Sequence, residues 1–396
     1  MPRSLAVDIM ERAQRTPDAP ALLCGNDGGQ AVSYAGLAAA ADRIGAELAA
    51  RYPDPRRPLA LQAARSVTAL AAVLACLRDG RPLLAAPADL APATLTELAD
   101  RSGCQGVLGV AGDELTHRHV GAGRRAVPAL PPGTALLLTA PGGDELPEVV
   151  PLGAGGIDAF TSWVRVTFAI GAGTRVLGFA PLDACPSLLE TWATLRHGGT
   201  VIPVDHDRTG DPEYLPGLLE ATRPHVVQAA PPFLRLLAGA GDGGTFPGMR
   251  EVLLTGGQVP GAVRAGLRRV FPVARLHGVY GCTETNSSMM RTVGPHETAD
   301  LDVLPLGGPL PGALAEVVSG GAVLQGAGTG ELVVSTPFQA AGYLGGRGGQ
   351  DRFVVRGDRV WFRTGDVVRR TEDGELCLVD GAGSRSGALG AHVAPA

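Results

Sequence analysis

Within Val279-Tyr280-Gly281-Cys282-Thr283-Glu284-Thr285 an aromatic ring, a thiol, two hydroxyls and a carboxylate crowd one short segment. A hydroxyl beside a carboxylate can hold a phosphate oxygen and its Mg²⁺, because hard cations take oxygen ligands. Thr283 can equally cap a helix over Asn286–Met290, by accepting from the helix's first free amides. Three further segments carry comparable chemistry. They are Thr255-Gly256-Gly257-Gln258, Gly330-Glu331-Leu332 through Gly342-Tyr343, and Phe362-Arg363-Thr364-Gly365-Asp366.

Other chemistries lack their residues. The histidines show no metal-ligand spacing, and Asp205-His206-Asp207 reads as a solvated turn. No G-x-S-x-G elbow is present. The cysteines (Cys24, Cys76, Cys104, Cys185, Cys282, Cys377) form no C-x-x-C pair, which disfavours zinc and a disulfide framework and suits a reducing cytoplasm. The chain contains no lysine: all 34 basic residues are arginine. Gly326-Ala327-Gly328-Thr329-Gly330 and Gly381-Ala382-Gly383 therefore cannot serve as Walker loops. A net charge of −5 without a basic run argues against a nucleic-acid partner. The apolar run from Arg65 to Arg78 is too short to span a bilayer. Asp8 and Glu11 interrupt any secretory leader.

The elements that must position this chemistry follow from periodicity. Leu5, Ile9, Met10 and Ala13 predict a helix ending near Thr16-Pro17, followed by helices over Tyr34–Ala50 and Ser66–Leu77. Apolar runs at Ala135–Thr139, Arg175–Ala180, His225–Ala229 and Val252–Thr255 precede Gly- or Pro-containing loops, the rhythm of parallel α/β units. Beyond about residue 300, strand-like pieces at Ala313–Val318, Gly330–Ser335, Phe353–Val355 and Arg359–Phe362 alternate with Gly-rich turns. The expected class is α/β: two α/β lobes over residues 1–300, a β-rich lobe over 301–380 and a loose tail over 381–396. With 45% hydrophobic residues the chain can bury such a core.

The four segments, in that order and spacing, resemble the adenylate-forming superfamily, closest to adenylation domains of nonribosomal peptide synthetases. Pro17-Asp18-Ala19-Pro20-Ala21 with Ser33-Tyr34, Leu306-Gly307-Gly308-Pro309-Leu310-Pro311-Gly312 and Asp373-Gly374-Glu375-Leu376 extend the likeness over nearly the whole chain. The resemblance implies the fold of that family's large N-terminal region. It also implies ATP or AMP and Mg²⁺ as ligands, and a reaction in which a carboxylate attacks the α-phosphate of ATP before transfer to a thiol. Carried onto this chain, Tyr280 stacks on adenine beside Gly256, Gly257, Gln258 and Gly281. Thr283 touches phosphate, Glu284 binds Mg²⁺, and Asp366 accepts the ribose hydroxyls. The acyl pocket falls to Cys185, Leu189, Leu254, Val279, Ser287 and Ser288.

Two departures stand out. Where the family carries T-S-G-T-T-G-x-P-K-G-V, this chain has Ala140-Pro141-Gly142-Gly143-Asp144-Glu145-Leu146-Pro147-Glu148-Val149-Val150, so Glu148 replaces the phosphate-loop lysine. A unit charge about 4 Å away is worth roughly 4 kcal/mol at an effective dielectric near 20, so the reversed sign opposes triphosphate. At the hinge that follows, Gly381, Gly383 or Ser384, and Gly387 stand at the family's Arg, Asp and Lys positions, and the C-terminal domain is expected to be absent. Cys185 occupies the place of the aspartate that holds a substrate ammonium, with Asp183 two residues earlier. An aryl or aliphatic acid is therefore expected in place of an α-amino acid. The implied partners are a small carboxylate or acyl ligand and a carrier protein or partner enzyme chain. Three readings stay open: a degenerate homologue in a natural-product pathway, a ligase completed by a partner chain, and a recruited acyl-transfer enzyme.

Overall fold

The computed structural model describes residues 5–24, 29–120, 128–141, 146–240, 244–294, 297, 301, 303–345 and 349–379. Three sheets organise them. The first has six strands in the spatial order Glu114–His119, Gly106–Ala111, Leu59–Gln62, Leu83–Ala86, Thr134–Ala140, Glu148–Gly153. Its middle pairings are parallel and its two edge hairpins antiparallel.

The second sheet has nine strands. Its parallel run passes through Arg275–Cys282, Glu251–Leu254, Val226–Ala229, Arg175–Gly178, Thr200–Pro203 and Pro20–Cys24. Antiparallel partners Asn286–Val293 and Gln30–Ser33 flank it. Parallel neighbours need crossovers, and helices Pro231–Gly239 and Gly261–Val270 supply two of them. Site-bearing loops therefore cluster beyond the carboxyl ends of the strands.

The third sheet, antiparallel, pairs Leu314–Ser319, Gly328–Ser335, Arg359–Arg370 and Phe353–Arg356 in that order. It reaches the rest of the molecule through the turn after Ser335. Thr336 Oγ1 donates to the Thr285 carbonyl at 2.9 Å, and Phe338 packs edge-on against Phe160 with centroids 5.5 Å apart.

Local signals explain the helices. Ser33 and Ser66 accept from Gly36 N and Ala69 N at 3.1 Å, capping helices Tyr34–Arg51 and Val67–Arg78. The second of these is buried from Thr68 to Leu77, as expected of a helix apolar on nearly every face. One unexpected element is a π-helical turn, Leu188–Ala193, buried throughout. Such turns shift side chains by one position and are frequent beside functional sites. Among the described residues, no helix is long and apolar enough to cross a membrane.

Candidate functional site

The segment with the densest chemistry folds as a hairpin tip. Strand Arg275–Cys282 turns through Thr283-Glu284-Thr285 into strand Asn286–Val293, with Cys282 paired to Asn286. Asn286 takes a left-handed φ of 57°, and a Cβ on Gly281 would collide with the Asn286 carbonyl oxygen. No helix follows Thr283. Asn286–Val293 pairs with Arg275–Cys282 instead, so Thr283 faces inward, where it hydrogen-bonds the Cys185 thiol. Ser288 Oγ donates to Thr285 Oγ1 at 2.9 Å, stiffening the tip.

Two buried carboxylates flank the tip, each met by a phenol. Asp366 lies inside strand Arg359–Arg370 and accepts from Tyr280 Oη at 2.6 Å. Glu284 accepts from Tyr343 Oη, while its carbonyl accepts from Ala340 N at 2.9 Å. Burial, reinforced by the neighbouring carboxylate, holds both phenols above their ordinary range, so both remain neutral donors.

Two small adjoining cavities open beyond the strand ends. One, about 40 Å³, is lined by Leu254, Gly256, Gly257, Gln258, Tyr280 and Leu306 among others. Gly256 and Gly257 have φ of 76° and 147°, conformations that L side chains rarely adopt, which leaves their backbone bare to the cleft. Gln258 is held side-on to the Leu304 backbone: Nε2 donates to its carbonyl at 3.3 Å and Oε1 accepts its amide at 3.2 Å. The other cavity, about 20 Å³, is lined by Phe160, Cys185, Gln228, Thr255, Val279 and Ser287 among others. Gly256, Val279 and Gly281 border both.

Cys185, Val279 and Ser287 thus come together, with Leu254 next door. Leu189 and Ser288 line neither cavity. Leu189 lies on the π-helical turn and packs into the core, and Ser288 is turned toward Thr285. Burial and the nearby Glu284 push the Cys185 thiol up to about 12, against the Thr283 hydrogen bond, so it stays neutral near pH 7. Asp183 accepts from Thr139 Oγ1 at 3.4 Å, facing strand Thr134–Ala140.

Periodicity and spacing do not single out two features. Gln228 is a polar residue inside the apolar run Val226–Ala229, and that contrast was the available signal. Arg65 and Glu190 form a buried ion pair at 3.2 Å, side chains 7% and 1% exposed. Glu190 also accepts from Ala180 N at 2.8 Å, anchoring the loop that leads to Cys185. The pair lies over Gly178, where a Cβ would collide with the Arg65 guanidinium.

Glu148 sits opposite Ala140 in the register of the first sheet. Gly142, Asp144 and Glu145 lie outside the described residues, as does the tail with Gly381, Gly383, Ser384 and Gly387. Among the described residues, no group of three or more His, Cys, Asp or Glu could hold a metal ion. Mg²⁺ is commonly held by one or two carboxylates plus substrate phosphates, and the buried Glu284, which accepts from Tyr343 Oη, is the carboxylate that the hairpin tip presents.

A sequence profile described as "AMP-binding enzyme" matches residues 9–144 and 146–344. The chain belongs to that family. It is 31% identical to phenyloxazoline synthase MbtB of Mycolicibacterium paratuberculosis, over 95% of this chain and 33% of that protein. D-alanine--D-alanyl carrier protein ligase of Bacillus velezensis is 24% identical over 76% of this chain and 64% of its own. This AMP-binding chain therefore spans about a third of the synthase. Among solved structures, CmiS6 aligns over 95% of this chain and 96% of its own, with a TM-score of 0.79 and 25% identity. The nonribosomal peptide synthetase FmoA3 (S1046A) shares the fold over 95% of this chain and 42% of its own, with a TM-score of 0.80. The chain is an adenylation-domain homologue of the nonribosomal-peptide type.

Proposed function

We propose that this adenylation-domain homologue binds a small acyl or acyl-adenylate-like ligand for a natural-product pathway, and that ATP-dependent adenylation by the chain alone is impaired. Glu148 carries this reading. It stands where the family pattern places a lysine, at the mouth of the strand pair Thr134–Ala140 and Glu148–Gly153, in a chain without lysine. Cations matched to transferring phosphoryl oxygens contribute about 10²–10³ in rate or more. Neither a lysine nor an arginine stands at that position, and the two are not interchangeable where geometry matters. The phenols bonded to Asp366 and Glu284 each occupy one oxygen of a carboxylate that the family reading gives to the nucleotide and its metal. In this reading Tyr280, Gly256 and Gly257 offer an adenosine slot, and Cys185, Val279 and Ser287 an acyl wall. The donor or recipient of the acyl group is a carrier protein or a partner enzyme.

The test is pyrophosphate exchange over a broad acid panel, together with calorimetry of AMP, ATP and an acyl-sulfamoyladenosine. Background exchange is expected, with ATP binding weaker than the other two. Glu148→Lys should tighten ATP about tenfold or more while leaving AMP nearly unchanged. Robust exchange by the chain alone overturns the proposal. Exchange that appears only with a lysine-bearing partner chain shows the impairment to be complemented in trans.

A further inference from the structure

The amino ends of the nine-stranded sheet, away from the cleft at its carboxyl ends, carry a row of basic residues. Val226 pairs in register with Val176 on one side and Glu251 on the other, so Arg175, His225 and Arg250 stand side by side where three neighbouring parallel strands begin. Backbone bonds fix the row: His225 N donates to the Arg175 carbonyl at 2.8 Å, and Arg250 N to the His225 carbonyl at 2.7 Å. Arg223 joins it from the left-handed C-cap of helix Tyr214–Thr222, with φ of 46°. Arg223 and Arg250 are exposed, and Arg175 and His225 are half-buried, so the row is open to solvent.

No carboxylate answers these cations. Arg175, Arg223 and Arg250 form no ion pair among the described residues, and Glu251, beside Arg250, is taken by Arg275 and His277. Arg175 commits Nε and Nη2 to the Arg223 carbonyl at 2.9 and 2.8 Å, an acceptor without a full charge. The histidine adds a mismatch. Its Nδ1 accepts from the Arg175 amide at 3.0 Å, so the neutral ring carries its proton on Nε2. Burial, with the Arg175 and Arg250 guanidinium groups, lowers the ring's pKa to about 4, which keeps it neutral near pH 7. Nε2 then lies 3.3 Å from Arg175 Nη2, donor facing donor. An acceptor oxygen beside the two satisfies both, and a negative charge there offsets the repulsion among the guanidinium groups.

The charges narrow the ligand. A carboxylate brings one charge and a single plane of acceptors. A phosphate brings close to two charges and oxygens pointing apart, which suits donors arriving from different strands.

We propose that Arg175, Arg223, Arg250 and the His225 ring bind a compact oxyanion of the phosphate class, free phosphate or the phosphate of a small monoester. The site lies at the other end of the sheet from the cleft and does not rest on the proposed function.

The experiment titrates the full chain with inorganic phosphate and with glycerol 2-phosphate at constant ionic strength. Nuclear magnetic resonance follows the His225 ring, and calorimetry gives the affinity. Phosphate should saturate and move the His225 signals, and sulfate should compete with it. The tighter of phosphate and the monoester names the source. The Arg223 and Arg250 side chains make no hydrogen bond among the described residues, so Arg223→Gln and Arg250→Gln remove charge alone. Each should weaken phosphate by about tenfold. Phosphate that leaves His225 unmoved binds elsewhere, and that result overturns the proposal. A response matched by sodium chloride, or retained in both variants, overturns it as well. Acetate binding as tightly as phosphate overturns the ligand class. Circular dichroism checks the fold of each variant, and either variant alone suffices to decide.

Discussion

Two glutamines stand near the ends of neighbouring strands with opposite fates. Gln258 spends both amide atoms on the Leu304 backbone, whereas Gln228 Oε1 spends itself on nothing. The contrast extends to the surroundings. Around the hairpin tip and the larger cavity, side chains pair within the protein: Tyr280 with Asp366, Tyr343 with Glu284, Gln258 with Leu304. Beside the smaller cavity, the Gln228 amide oxygen is buried without such a bond. Bonds of the first kind offset the cost of burying polar groups, and an acceptor of the second kind keeps that cost.

The strongest test of this contrast removes the support beneath the loop that carries Cys185 to the smaller cavity. Arg65→Met leaves Glu190 buried without its cation, and breaking such a pair typically costs about 3–5 kcal/mol. Urea unfolding should show this loss, and Arg65→Met combined with Glu190→Leu should recover most of it. A single variant as stable as wild type would mean that the pair does not hold the loop through Ala180.

The same pair has a pH signature. Burial raises the Glu190 carboxyl from 4.5 to about 7, outweighing the attraction of Arg65 and the Ala180 amide. The folded state therefore keeps a proton that the unfolded chain releases. Its stabilisation is complete below about pH 4.5 and is lost as pH rises through about 7. Relative to Glu190→Gln, wild type should lose up to roughly 3 kcal/mol across that window and level off above it. His197 and His225, both lowered to about 4 by burial, work in the opposite direction in both proteins and cancel from the difference. A flat difference would place the Glu190 pKa near its ordinary value.

Beside the larger cavity, Gln258→Ala strips two hydrogen bonds from the Leu304 backbone. Leaving a part-buried amide and carbonyl unpaired should cost about 1–3 kcal/mol in urea titrations. A loss below about 0.5 kcal/mol would show that water replaces the side chain there, and would weaken the contrast between the two glutamines.

How much of this was legible beforehand depends on which physics sets each feature. Helix Tyr34–Arg51 and strand Thr134–Ala140 follow from period and capping, which are local, and the expected spans lie within a residue of those observed. The motif residues Tyr280, Thr283, Glu284 and Asp366 were legible as types. Their pairing was not, because Tyr280 and Asp366 are 86 positions apart and meet only when the third sheet docks. The strand Asn286–Val293 is a tertiary outcome: Gly281 and the left-handed Asn286 make the tight return that pairs it with Arg275–Cys282. The π-helical turn was invisible for the same reason, since burial on all sides erases the periodic signal.

The smallest effect has the opposite sign and is the most discriminating. Gln228→Leu removes no hydrogen bond at Oε1, and it replaces a buried unsatisfied acceptor with an apolar group of similar volume. Such replacements are nearly neutral or stabilising, so unfolding free energy should stay within about 1 kcal/mol of wild type or rise above it. Gln258→Ala and Gln228→Leu should then move stability in opposite directions, although both remove a glutamine near the end of the same sheet. A gain in Tm on this substitution is the signature of a buried acceptor held at a cost to stability. A loss above about 2 kcal/mol would show that Gln228 is bonded within the folded chain, and its role would then be structural.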